Sequence, residues 1–528
     1  MRSASSPGFP GLVFIALLLI APGADAQEIL VTRFDDPVPD GCTPVDCSLR
    51  EAVLAANADP ATYDDIRLGA GSYQINDTPL EVTGPTRILG AGRTQTQVIG
   101  DGFTDLLTVE SDHPFEINGL TVDAFGGQEL VAASGSEVRV VDVVAPNPLG
   151  TLRAGPGPGG VAGSFWIGDS EIAAYVASVG MDKFALTDSR AAHVAVFDVP
   201  PANVSHTYVE LRDSVIDGAL APDGASGAFF STFDPVVILR TDVLDTRDGL
   251  RIVGLAPDVT GELEIDRLRY RNNAQPLLIV NKKGTLVRSD FLDNTTSDVG
   301  NPMPGALRVG LGSDLRVSGS TFAGNRGSAS AGGAVLASGS DISLIIENST
   351  FTNNSIAAAA VGMPGGARGG SIGWSSVSGS TLVLRHVTIV ADGMHPLGLT
   401  GTAIGGIGAN ADYVLGIYNS ILRGTCDLGT GAVDSGIGNI ENGGNTCGLS
   451  TGLNMVGVST SALALGALGN HGGLTQTFMP AGDSVAIDAA NAGFCPPFDQ
   501  RGYPRPQGAG CDIGATEAGD VIFADGFE

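Results

Sequence analysis

Lysine is almost missing from this chain: in 528 residues it stands only at Lys183, Lys282 and Lys283. With 28 basic residues against 57 acidic ones the formal net charge is −29, and a surface of that sign repels nucleic acid and anionic membranes. Aromatic residues are scarce too, at 6% with two Trp, so the core must be built mainly from small and β-branched side chains. The longest apolar run, Leu12 to Ile20, is too short to cross a bilayer, which takes about 20 residues, and no later segment is apolar enough. There is no Cys-x-x-Cys, and the histidine nearest any cysteine in sequence is His471, so zinc-ligand spacing is lacking. No Ser or Cys sits in a nucleophile elbow. The runs Gly365 to Gly370 and Gly405 to Gly408 open no helix after a strand and carry no phosphate-binding Lys, so they read as turns.

What is present begins with an address. Arg2, the apolar run and Ala24-Asp25-Ala26 before Gln27 form an export signal over 1–26. Six cysteines, Cys42, Cys47, Cys426, Cys447, Cys495 and Cys511, fall as three pairs of near neighbours. Sequence leaves about 15 pairings open. Local pairing is the economical arrangement in an oxidising compartment, and a secreted or cell-surface protein is expected.

One short phrase recurs: Arg288-Ser-Asp-Phe-Leu-Asp-Asn294, Ser320-Thr-Phe-Ala-Gly-Asn325 and Ser349-Thr-Phe-Thr-Asn-Asn354. Its inward apolar positions are Phe291, Phe322 and Phe351, extended backwards through Tyr270, Val243 and Val215 and forwards through Ile389 and Ile421. The interval wanders from about 20 to nearly 40 residues, which suits stacked coils with loops of variable length better than propeller blades. Each coil leaves strand edges unpaired, and only the next coil, about 4.8 Å away, completes it. An all-β solenoid of ten or eleven coils is expected. Leu120 to Pro200 reads as early coils with loops, a separate small β-domain being the alternative.

Strand alternation turns the neighbours of those inward residues outward. Three positions before them stand Arg212, Arg240, Arg267 and Arg288; one before stand Ser214, Asp242, Arg269 and Asp290. Two readings compete. In one, Arg212, Arg240, Asp242, Arg288 and Asp290 grip an acidic polysaccharide, with calcium held by Asp242 and Asp290 as a compatible ion. In the other, alternation of sign merely neutralises a stacked face. Two positions after the inward residue, Asp217, Asp245, Asn272, Asp293 and Asn353 form an Asx turn that can stack from coil to coil. Arg385 and His386, with His395 nearby, read as residues covering a coil.

Near the start, Cys47-Ser-Leu-Arg-Glu-Ala-Val-Leu-Ala-Ala-Asn57 encodes a capped amphipathic helix: Ser48 is the N-cap, Glu51 completes the capping box, and Leu49, Ala52, Val53 and Ala56 form one apolar stripe. With Ile66-Arg-Leu68 and Ile88-Leu-Gly-Ala-Gly92, this block resembles the CSLREA N-terminal module of exported bacterial proteins. That resemblance implies a right-handed parallel β-helix of the pectin-lyase-like type. Leu468 to Thr477, Ala486-Ile-Asp488, Asp499-Gln-Arg-Gly502, Arg505 and Cys511-Asp-Ile-Gly-Ala515 with Glu517 resemble the choice-of-anchor Q domain, which implies a C-terminal cap. There Asp488, Asp499 and Asp512 are expected to bond Arg501 and Arg505. The ending Asp525-Gly-Phe-Glu528 resembles a terminal signature of exported proteins.

The organisation expected is therefore a signal at 1–26, an N-terminal cap and first coils at 27–112, parallel coils at 113–424, a C-terminal cap at 425–519 and a tail at 520–528. The function expected is a monomeric, adhesin-like surface or matrix protein that binds glycans. The alternative is a calcium-assisted polysaccharide lyase or hydrolase.

Overall fold

The computed structural model describes residues 27–519 apart from 125–128, 136, 158–159, 161–162, 199–206, 222–223, 256–261, 297–302, 329–331, 357–369, 376–377, 392–401, 408–412 and 429–431. The expected export signal at 1–26, His395, nearly all of the first glycine run and the terminal Asp-Gly-Phe-Glu lie outside the described residues.

Short strands wind into coils, and like strands of successive coils pair in parallel to make three long faces. On the first, Ile238, Ile265, Leu286, Val317 and Ile346 stack in register, all fully buried. On the second, Val243, Tyr270, Phe291, Phe322, Phe351 and Ile389 do the same. Ile252, Ile279 and Val309 mark the third. The chain is a parallel β-helix.

Fifteen successive pairings join sixteen strands on the first face, from Glu28–Val31 to Ser435–Ile437, so ten or eleven coils was too few. The early segment belongs to the same stack: Glu137–Ala145 pairs with Pro114–Ala124 on one side and Ser164–Gly168 on the other. Those coils lack the Phe phrase because Ala145, Ile172 and Ala191 fill the equivalent inward positions.

Three other expectations shift by one residue or change character. Val215 pairs with Asp242, and Ile421 pairs with Thr388, so the inward residues of those coils are Ile216 and Leu422. The Asx residues Asp245, Asn272, Asp293 and Asn353 do sit in a turn, at φ 52–56°. The side chains that stack from coil to coil, however, belong to the next residue: Asn273 Nδ2 donates to Asn294 Oδ1, Asn294 to Asn325 and Asn325 to Asn354, at 3.1, 2.8 and 3.0 Å. All four are buried, and the ladder satisfies amide groups that water cannot reach. Gly405 and Gly406 are in a strand, Thr402–Ile407, not a turn. A Cβ on Gly406 would stand 2.5 Å from the Trp374 ring, so the glycine makes room for that indole.

Helix Leu49–Asn57 covers the first coils. Ser48 Oγ accepts from Glu51 N at 3.3 Å, Ser48 N donates to Glu51 Oε2 at 2.8 Å, and Leu49, Ala52, Val53 and Ala56 are buried. Cysteines pair locally, Cys42–Cys47, Cys426–Cys447 and Cys495–Cys511, which fits an oxidising compartment. No helix among the described residues is long and apolar enough to cross a membrane.

The segment 464–517 does not stop at the end of the stack. It turns back along the side of the last coils as a strap. Thr475 Oγ1 donates to Gly319 O at 2.9 Å, Thr321 Oγ1 to Gln476 O at 2.6 Å, Asn348 Nδ2 to Phe498 O at 2.9 Å and Asn419 Nδ2 to Asn491 O at 2.9 Å.

Candidate functional site

The site grows from one corner, the turn between the first and second faces. Coil after coil, the residue there adopts the left-handed conformation, with φ between 45° and 72°: Asp142, Asp169, Asp188, Asp213, Arg240, Arg267, Arg288, Gly319, Asn348, His386, Asn419 and Gly438. The next residue is often serine, and it fixes the turn. Ser214 Oγ donates to Arg212 O at 2.8 Å and accepts from Ser189 N at 3.2 Å; Ser289 Oγ donates to Val287 O at 2.8 Å and accepts from Leu268 N at 3.1 Å.

Gly, Asn, Asp and His reach this conformation more cheaply than other residues, whereas arginine gains nothing locally and bears about 1 kcal/mol or more of strain. Three successive arginines at such a position ask for another reason, since backbone strain gathers at functional sites. Column composition divides the corner into three stretches. Asp142 to Asp213 line an acidic cleft of about 680 Å³, together with Arg93, Glu171 and Arg190. Arg240, Arg267 and Arg288 line a groove of about 280 Å³, with Asp242, Arg269, Asp290 and Leu474. From Gly319 onward the strap covers the corner.

Of the residues singled out in sequence, the structure brings together Arg240, Asp242, Arg288 and Asp290. Arg212 is not among them. It precedes the turn residue Asp213, pairs with Leu239, and bonds Glu210 at 2.9 and 2.6 Å. The one-residue slip at Val215 put it in the wrong column. Arg267 and Arg269 join the groove, and the acidic column upstream was missed; its signal was the recurrent Asp-Ser of Asp169-Ser170, Asp188-Ser189 and Asp213-Ser214.

Most charges in the groove already have partners. Arg288 grips Asp266 with two bonds of 2.7 and 2.6 Å, Arg240 grips Asp213 likewise, and Arg269 grips Asp242 through Nε at 2.7 Å and through its terminal nitrogen. Two groups differ. Arg267 makes one bond among the described residues, Nε to Asp266 Oδ2 at 3.3 Å, so its terminal nitrogens point at no acceptor. Asp290 Oδ1 is buried without a hydrogen-bond partner among the described residues, and burial pushes its carboxyl up to about 6, against the pull of Arg269. Asp242 is occupied by Arg269, and no cluster of three His, Cys, Asp or Glu suited to a metal ion occurs among the described residues.

Other candidates are structural. His386 is fully buried under the strap, its ring nitrogens 3.3 Å from Gly514 O and 3.1 Å from Phe494 O, so it covers nothing but is itself covered. Asp499 bonds Arg501 at 2.9 and 2.7 Å, whereas Asp512 and Asp488 accept backbone N–H groups of Asp488 and Gly510.

No protein-family profile matches the chain, and no curated protein does. Among solved structures, the A-module of mannuronan C-5 epimerase AlgE4 from Azotobacter vinelandii is similar to this chain at 16% identity, over 70% of this chain and 95% of that one, with a TM-score of 0.39.

Proposed function

We propose that this is an exported β-helix protein, with a CSLREA-type N-terminal module and a choice-of-anchor Q-type C-terminal segment, whose corner groove binds an acidic glycan at a cell surface or in a matrix. One observation carries the reading: three successive arginines occupy a corner position that Asp, Gly, Asn or His fills in the other coils from Asp142 to Gly438, and the terminal nitrogens of one of them, Arg267, meet no acceptor among the described residues. A planar guanidinium with open N–H groups is the donor set for a carboxylate or sulfate.

Titration of a polyuronate oligomer into the protein tests it. Arg267→Gln should weaken binding by about tenfold or more, the value of one charge-assisted contact, while Arg212→Gln should leave it unchanged. Equal behaviour of the two variants, or no binding by the intact protein, defeats the reading.

The groove also sets a pH dependence. At pH 7 the guanidinium groups of Arg240, Arg267, Arg269 and Arg288 face the carboxylates of Asp213, Asp242, Asp266 and Asp290, which balances the charge. Asp290, raised to about 6, takes up a proton first on acidification, and the groove then becomes net positive. Affinity for the oligomer should therefore rise as pH falls from 7 to 5, and Asp290→Asn should bind tightly throughout with a flat profile. A wild-type profile that is already flat removes Asp290 from the groove's chemistry.

Asp290 favours one second reading, cleavage of the bound chain. A carboxyl with a pKa near 6 beside arginines can hand over or accept a proton near neutral pH. Incubation with acidic polysaccharide and calcium, followed by ultraviolet absorption for unsaturated ends and by reducing-sugar release, distinguishes lyase, hydrolase and plain binder.

A further inference from the structure

The groove is bounded in different ways at its two ends, and this says what length of chain it holds. Toward the N-terminus the corner residue changes sign in one step, from Arg240 to Asp213, and stays acidic through Asp188, Asp169 and Asp142. The carboxylates of Asp169 and Asp188 are exposed and accept no hydrogen bond among the described residues, so they face anything lying along the corner. Toward the C-terminus the next corner residue is Gly319, whose carbonyl is already taken by Thr475 Oγ1 at 2.9 Å, and Leu474 forms the wall of the groove itself. One end is thus closed by repulsion and the other by packed chain.

Between the two stops lie Arg240, Arg267 and Arg288, on coils about 4.8 Å apart, so the basic stretch spans about 10 Å. We infer that the groove takes a short acidic oligosaccharide, or the terminal units of a chain, with two or three anionic groups at about the coil spacing, and rejects the interior of a long polyanion. This rests on the acidic-glycan reading and narrows it. A polymer threaded through the groove would have to pass Leu474 and the strap at one end and lay its charges against Asp188 and Asp169 at the other. A chain end meets neither obstacle.

A size ladder of polyuronate oligomers, from dimer to octamer, titrated into the full-length protein at low salt tests the inference. Affinity should rise by about tenfold when an anionic group reaches Arg267, rise less where one reaches Arg240 or Arg288, which Asp213 and Asp266 already hold, and stay level beyond the trimer. Long polymer should bind only at its ends, so the number of protein molecules per chain stays fixed as the chain lengthens. Asp169→Asn with Asp188→Asn, two exposed substitutions, should let longer oligomers gain affinity. Affinity that keeps climbing to the octamer in the intact protein overturns the length limit and leaves glycan binding standing. A level ladder that the Asn pair leaves untouched overturns the electrostatic stop. Absence of binding by every oligomer overturns both the inference and the reading beneath it.

Discussion

Replacing Phe322 by alanine will cost the middle coils about 3–5 kcal/mol, the usual cost of truncating a fully buried ring. Phe322 is stacked between Phe291 and Phe351, with ring centroids 4.6 Å away on each side and interplanar angles of 5° and 2°, and all three side chains are fully buried. Its removal leaves a hole between two rings that cannot close up, because their backbones are held apart by the parallel pairing of Asp290–Leu292, Thr321–Ala323 and Thr350–Thr352. In a solenoid each coil answers mainly to its neighbours, so the damage should be local. Hydrogen exchange at Phe291, Phe322 and Phe351 amides should accelerate by about two to three decades, with the N-terminal coils unaffected. Phe498→Ala, at a ring 53% exposed, is the control, and equal losses from the two would show that the stack does not hold the coils.

That stack was the most legible part of the sequence, for a physical reason. A ring that must lie on another ring tolerates no shift of register, so Phe291, Phe322 and Phe351 recur in a fixed phrase. Val215 and Ile421 misled because each is followed by a second aliphatic residue, Ile216 or Leu422, and hydrophobicity alone cannot say which of two adjacent residues points inward. The serine before them can. Ser214, Ser289, Ser320, Ser349 and Ser420 occupy one column because each bonds the turn beneath it, and alignment on serine yields the true register at every one of these coils. The same alignment exposes the corner column and its change from aspartate to arginine. What no alignment yields is the strap. Its contacts reach from Thr475 to Gly319 and from Gln500 to Thr350, and they depend on chain direction after the last coil, which no periodicity encodes.

Glu517→Gln will release that strap. Glu517 and Arg505 form an ion pair at 2.6 Å with both side chains fully buried, and Arg505 also donates to Asp512 O at 3.0 Å and Gly514 O at 2.7 Å. The pair holds the turn whose backbone meets the coils: Gly514 N donates to Asn419 O at 2.8 Å and Ala515 N to Thr388 Oγ1 at 2.9 Å. Neutralising Glu517 leaves a buried guanidinium without its counterion, a loss of about 3–5 kcal/mol. Acid acts in the same direction through His386. Burial, with the Arg505 charge, pushes its imidazole down to about 3, whereas in a released strap it returns to about 6.5. The released state therefore binds the proton more readily, and between those values docking weakens as pH falls, by up to about 1.4 kcal/mol per unit. The variant should expose the strap to protease at a higher pH than the parent does, while the parallel stack stays protected. The double substitution Arg505→Met with Glu517→Leu should restore only part of the docking, since it removes the lone charge but leaves Asp512 N, Gln507 N, Asp512 O and Gly514 O without the partners this pair supplies. Protease resistance of Glu517→Gln equal to that of the parent would mean that the strap is held by its contacts with the coils and not by this buried pair.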